Sequence, residues 1–156
     1  MMSPRFLVAG AVGLWIASIV LAQDGRIEVL RYPVAVASAQ KATTNDGVYT
    51  KKQADDAKAQ FDKICADCHP FTVADKKKPK DRPLGEEPFF EEWEGRPLSE
   101  LITNIHLTMP NDGSATLTEA EAADLTAYIL QQNGYPAGKK PLTKATANAV
   151  VERPKK

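Results

Sequence analysis

Residues 65–69 read Cys65-Ala66-Asp67-Cys68-His69 and hold the only two cysteines of the chain. Two thiols three residues apart lie about one helical turn from each other, and the imidazole that follows is set beside them. Upstream, Thr50 and Gln53 have the spacing of a capping box, a hydroxyl and an amide that satisfy orphaned backbone N–H groups at a helix start. Ala54, Ala57, Phe61 and Ile64 then recur at helical spacing. The pattern predicts a helix from Lys51 to Ala66 that delivers both cysteines at its end. Downstream, Pro70, Pro79, Pro83 and Pro88, a lysine run and one glycine exclude a long regular element. A loop of this kind beside the motif is expected to wrap around something.

The C-x-x-C-H pattern points to covalent attachment of one haem c. Each thiol adds its S–H across one of two vinyl groups on the same side of the porphyrin, and the His69 imidazole projects toward the iron as the proximal ligand. Three other readings stand beside this one: a structural disulfide, a thioredoxin-like dithiol, and a zinc site built from Cys65, Cys68, His69 and His106. The dithiol needs a βαβ scaffold that the pattern does not supply, and the adjacent Cys68 and His69 are awkward ligands to one zinc ion. For the sixth position, the chain beyond residue 22 has a single methionine, Met109, and a single further histidine, His106. Met109, followed by Pro110 in an irregular segment, is favoured, because a soft neutral thioether suits ferrous iron and raises the potential. His106, exposed at a helix end on the plainer reading, and an open site are the alternatives.

Arg5 is the only charge before an apolar run from Phe6 to Leu21 that ends in Val20-Leu21-Ala22. Residues 1–22 read as an export signal, or as an uncleaved membrane anchor, and either way the rest of the chain leaves the cytoplasm. Their removal takes away Arg5 and no acidic residue, leaving 19 basic and 20 acidic side chains. That balance argues against nucleic acid as a partner.

At 156 residues the chain can bury one modest core. Residues 23–47 read as a linker and 139–156 as a flexible tail, with the folded domain over 48–138. A short helix is expected over Glu91 to Glu94, carrying Trp93, and another through Leu98, Leu101, Ile102 and Ile105, with Pro97 at its start. Thr118 and Glu121 form a second capping box before Ala122, Leu125, Tyr128 and Ile129, and Gly134 marks the stop. No strand pattern or internal repeat is evident.

Taken together these stretches resemble a class I cytochrome c, and more closely the small cytochromes that accompany quinoprotein dehydrogenases in bacteria. The resemblance rests on Gly47-Val48-Tyr49-Thr50 with Gln53-Ala54, the cysteine motif, Phe89 with Trp93, Thr108-Met109-Pro110, and Tyr128-Ile129-Leu130 leading to Asn133-Gly134-Tyr135-Pro136. It implies an all-α cytochrome c fold of about four to five helices around one haem. The first and last helices would cross near an aromatic pair, Phe61 and Tyr128, with Ala57 where many members have glycine. It further implies that the Pro83 carbonyl orients the proximal imidazole, and that Trp93, with Phe89 and Phe90, lines the haem pocket. Pro70-Phe71 directly after His69, and the lysine-rich insert that follows, depart from the family pattern.

The function so implied is an electron carrier, not an enzyme. It would be a periplasmic monomer taking electrons from a dehydrogenase and passing them to a terminal oxidase or another cytochrome, with a membrane association only if residues 1–22 stay in place. A peroxidase-like enzyme or a haem-based sensor would need an exchangeable sixth ligand. Lys76, Lys77, Lys78, Lys80 and Arg82 read as a solvated loop or as a docking patch for an acidic partner. Glu86, Glu87, Glu91, Glu92 and Glu94 read as a solvated face.

Overall fold

The computed structural model describes residues 41–155. Residues 1–40 and Lys156 lie outside the described residues, and with them the expected export signal and most of the linker. Four α-helices form: α1 Lys51–Ile64, α2 Glu86–Trp93, α3 Leu98–Thr108 and α4 Glu119–Gln132. Two single 3-10 turns flank them, Thr44–Asp46 and Lys144–Thr146. Among the described residues there is no strand, only isolated bridges from Val150 to Thr43 and to Pro97. The described residues are all-α with four helices, in line with the all-α class that the sequence implies.

The principal packing is α1 on α4. Ala54, Ala57 and Phe61 bury one stripe of α1, and α4 answers with Ala122, Leu125, Tyr128 and Ile129. The ring centroids of Phe61 and Tyr128 are 5.0 Å apart, so the expected aromatic pair forms at this contact. Small Ala54 and Ala57 let the helices approach. α3 adds Leu98, Leu101, Ile102 and Ile105, all buried, each contributing roughly 1.5–3 kcal/mol of transfer free energy. The helix caps are local. Thr118 and Glu121 close a full capping box on α4, and Gly134 supplies the positive φ after it. On α1 only half of the expected box forms: the Thr50 hydroxyl accepts from the Gln53 amide. The Gln53 side chain is drawn away, donating to Asp124 Oδ1 at 2.7 Å and to the Leu142 carbonyl at 2.8 Å.

Three sequence expectations are corrected. First, α2 begins at Glu86, not Glu91, because Pro88 falls in the first turn, where its missing N–H has no partner to lose. Second, residues 139–156 are not a flexible tail. Leu142, Ala147, Ala149 and Val151 are buried, and main-chain hydrogen bonds of 2.9 Å run from Leu98 N–H to Ala149, from Ser99 N–H to Ala147, from Gly95 N–H to Val151 and from Val151 N–H to Arg96. Third, the folded unit starts before residue 48. Thr44 is buried and exchanges hydrogen bonds with the main chain of Glu152, and Asn45 does the same with Arg153 and Lys155. The terminal segments close on each other where Gly138 meets Gly47. A Cβ on Gly138 would lie 1.8 Å from the Gly47 oxygen, so no other residue fits there.

The glutamates of α2 are not simply a solvated face. Arg153 grips Glu87 with two nitrogens and Glu94 with a third, and Arg96 bonds Glu92 and Glu100.

Candidate haem site

The site grows from the end of α1. Cys65 is the C-terminal cap, its N–H donating to Phe61 at 2.8 Å. The Cys65 carbonyl then accepts from both Cys68 N–H at 3.1 Å and His69 N–H at 3.0 Å, which winds residues 65–69 into one tight turn. Both thiols are free, Cys65 half-buried and Cys68 exposed. Burial pushes the Cys65 thiol up to about 11, so it stands as S–H at neutral pH. A thiol held in this form is a weak redox nucleophile and meets no obstacle to addition across a vinyl group.

His69 is held from the far side of the loop. Its Nδ1 lies 2.9 Å from the Arg82 carbonyl; a carbonyl can only accept, so Nδ1 carries the proton and Nε2 keeps its lone pair for a metal. The resemblance implied the Pro83 carbonyl for this role, and the structure corrects it by one residue. The neck of the loop pairs Arg82 N–H with Cys68 O at 3.0 Å and Leu84 N–H with Pro70 O at 2.8 Å. That register turns the carbonyl of residue 82 toward the ring at 69. Buried Pro83 sits between the two paired amides with no N–H to contribute.

Asp81 stiffens this neck. Its carboxylate accepts from the amides of Lys77 at 2.8 Å and Lys78 at 2.9 Å, and these bonds hold it below the usual carboxylate range. Its second oxygen is buried without a partner.

Met109 caps the C-terminus of α3, its N–H donating to Ile105 at 3.1 Å, and is half-buried. His106 is not simply exposed at the helix end. It is half-buried, with Nδ1 2.8 Å from the Leu117 carbonyl, and so ties the end of α3 to the far side of the segment that Met109 opens. Trp93 is buried in the core with the Arg96 guanidinium 4.4 Å from its ring centre. Phe89 is buried and Phe90 half-buried, their rings 5.6 Å apart.

Sequence reasoning missed two contributors. Phe71 stacks on Phe61 at 5.1 Å and meets Tyr128 edge-on at 5.9 Å, turning the expected pair into a trio that carries the loop onto the α1–α4 contact. Its only signal was an aromatic where the family pattern has a small residue. Asn133 donates to the carbonyls of Leu84 and Ile129 at 2.7 and 2.9 Å and so pins the end of the loop to α4.

The donor set suits haem c. Two free thiols on one turn and an oriented imidazole with a free Nε2 stand together, and a half-buried thioether is available at the end of α3. Among the described residues no three His, Cys, Asp or Glu side chains gather as a metal site, so Cys65, Cys68, His69 and His106 do not form the zinc set.

The family whose model matches, over residues 52–129, is cytochrome C oxidase, cbb3-type, subunit III. The chain belongs to this family. The match spans half of the chain and runs from α1 into α4, enclosing Cys65, Cys68, His69 and Met109. Membership gives a c-type cytochrome domain carrying covalently bound haem c with its iron, in a haem-based electron-transfer role. No curated protein and no solved structure matches the chain. Among the described residues no helix is long and apolar enough to cross a membrane.

Proposed function

We propose that this cytochrome is a periplasmic one-electron carrier in which Cys65 and Cys68 hold the haem by thioethers, His69 is the proximal ligand and Met109 the sixth. The observation that carries the reading is the bond from His69 Nδ1 to the Arg82 carbonyl, which fixes tautomer and ring direction as oriented metal-ligating imidazoles require. Haem c, when bound, supplies a one-electron ferric–ferrous couple. The cysteines fix it to the chain, His69 donates through Nε2, and Met109 favours the reduced state through its soft sulfur. With His69 and Met109 both holding the iron, a substrate would reach it only by displacing one of them, so the site would store an electron rather than activate oxygen or peroxide. The donor is a dehydrogenase, of the quinoprotein type on the resemblance, and the acceptor a terminal oxidase or another cytochrome. The protein acts as a monomer, released by removal of residues 1–22 or held by them as an uncleaved anchor.

The test is the optical spectrum of protein made with a cytochrome c maturation system, oxidised, reduced, and denatured in alkaline pyridine. A covalent low-spin spectrum with the weak far-red band of methionine-to-ferric-iron ligation is expected. A high-spin spectrum overturns the carrier reading in favour of an enzyme or sensor.

A further inference from the structure

The loop between His69 and Leu84 carries a charge pattern that electron storage does not use. We propose that Lys76, Lys77, Lys80 and Arg82 form a docking surface for the acidic patch of a redox protein partner, placed so that the partner meets the proximal side of the haem site. This rests on the reading of His69 as the proximal ligand.

Three observations support it. The first is clustering: Lys41, Lys63, Lys139, Lys140 and Lys155 also lack an ion pair among the described residues, but only the loop gathers four unpaired cations within seven residues. Lys51, Lys52, Lys58, Arg96, Lys144 and Arg153 each sit in an ion pair with a carboxylate. In the loop only Lys78 does, with Asp67 at 2.8 Å. Lys76, Lys77, Lys80 and Arg82 are exposed and pair with no carboxylate among the described residues. The nearby carboxylates keep their charge but make their contacts elsewhere: that of Asp75 accepts from the Thr72 hydroxyl, that of Asp81 from the Lys77 and Lys78 amides, and that of Asp67 from Lys78. Glu86 faces the Val73 amide at 2.8 Å.

The second is rigidity. A flexible lysine run spreads its charge over many positions and loses entropy when a partner arrives. Here the neck bonds at Cys68, His69 and Pro70, the Asp81 clamp and the Glu86 contact fix the backbone from which the four cations project. Exposed single ion pairs are worth little, but several pre-positioned like charges on a chain whose basic and acidic side chains nearly balance make a local positive field. Such a field raises encounter rates more than final affinity. With a Debye length of about 8 Å at physiological salt, it acts on a surface already near the loop, which is where electron transfer requires the partner to be.

The third is connection to the site. The Arg82 residue whose side chain belongs to the patch is the residue whose carbonyl accepts from the proximal imidazole. One hydrogen bond therefore separates the docked surface from the iron ligand. An acidic protein is favoured over an anionic membrane because the loop offers one exposed apolar side chain, Val73, and no amphipathic helix to insert.

The test uses the reduced holoprotein in stopped flow against two inorganic oxidants, anionic ferricyanide and the cationic tris(phenanthroline)cobalt(III) ion, over a range of salt. The loop variant combines Lys76→Gln, Lys77→Gln and Lys80→Gln. The control removes the same charge at Lys139, Lys140 and Lys155, which are equally unpaired among the described residues. At low salt the loop variant should slow ferricyanide about tenfold and flatten its salt dependence, while the cobalt rate holds or rises and the control barely changes either. Poly-L-glutamate should compete with ferricyanide on the wild type and not on the loop variant. Equal effects of the loop and control variants, or parallel losses with both oxidants, overturn the docking surface. So does sedimentation with phosphatidylglycerol vesicles that the loop variant loses while poly-L-glutamate fails to compete, because the surface would then serve lipid. A wild type that reacts normally with the cobalt ion while the patch tests fail leaves the carrier reading intact. One that reacts with neither oxidant overturns both.

Discussion

Arg82 holds the Cys68-His69 pair through both of its main-chain groups: its oxygen lies 2.9 Å from His69 Nδ1 and its nitrogen 3.0 Å from the Cys68 carbonyl. A main-chain contact cannot be deleted by changing the Arg82 side chain, so the grip depends on what holds the backbone of residues 77–82 in place, and that is Asp81. Asp81→Ala frees the Lys77 and Lys78 amides. The variant should keep its haem but show a spread of imidazole orientations, read as broadened g-values in the electron paramagnetic resonance spectrum, and a lower midpoint in urea. The pH dependence has a definite sign. Hydrogen bonds from the two amides hold the native Asp81 carboxyl below its ordinary value near 3.8. Its contribution to stability is therefore complete above that value and is lost as pH falls through the lower native one. The gap in midpoint between wild type and variant should be constant near neutrality and should narrow below about pH 4. A gap that instead narrows on going to alkaline pH would contradict this account.

Met109→Ala should open the sixth position, giving a high-spin ferric spectrum and a reduced form that binds carbon monoxide rapidly. His106 has a different part in this reading: through the Leu117 carbonyl it holds the two ends of the segment that Met109 begins. His106→Leu should leave the iron low-spin while weakening the far-red methionine band, and His106→Gln, whose amide can still donate to Leu117, should restore it. An unchanged spectrum in Met109→Ala, with high-spin iron in both His106 variants, would make His106 the ligand.

The C-terminal segment is predicted to be structural. Leu142→Ala empties a fully buried site beneath Gln53 and should lower stability by about 2–5 kcal/mol in urea, and ending the chain after Pro141 should prevent folding to a stable domain. Tyr49→Phe removes the donor to the Tyr135 carbonyl at 2.7 Å in a buried setting and should cost about 1–3 kcal/mol. Neither Leu142→Ala nor Tyr49→Phe should alter the optical spectrum.

How far the sequence could be read depends on what kind of bond does the holding. The motif at Cys65, Cys68 and His69, and the stripes of α1, α3 and α4, were legible because side-chain identity and helical period carry them. The segment from Leu142 to Val151 was not, because it attaches through main-chain hydrogen bonds to the turn before α3 and to the first amides of that helix, and through small residues such as Ala147 and Ala149, which leave no periodic trace. Pro83 in place of Arg82 is an error of the same origin: a carbonyl acceptor is available from any residue, so only the register of the loop neck selects it. The glutamates of this region are exposed, as expected, and the pairing of Glu87 and Glu94 with Arg153 was not legible because Arg153 is remote in sequence.

Two glycines should separate damage to the fold from damage to the site. At Gly138 a Cβ would strike the Gly47 oxygen at 1.8 Å, where the segments on either side of the helical core meet and Gly138 N–H donates to Tyr49 at 2.6 Å. Neither partner is the mobile end of a side chain, so Gly138→Ala must move backbone, at about 1–3 kcal/mol or more. At Gly85 the Cβ would lie 2.3 Å from the Phe71 oxygen. Relief there pushes on the loop that stacks Phe71 against Phe61 and whose neck orients His69. Gly138→Ala should therefore lower the urea midpoint and leave the resonance signature of the iron as it was. Gly85→Ala should shift that signature even under conditions where the protein is fully folded. Identical spectra for the two variants would mean that the loop orients His69 independently of its contact with Gly85.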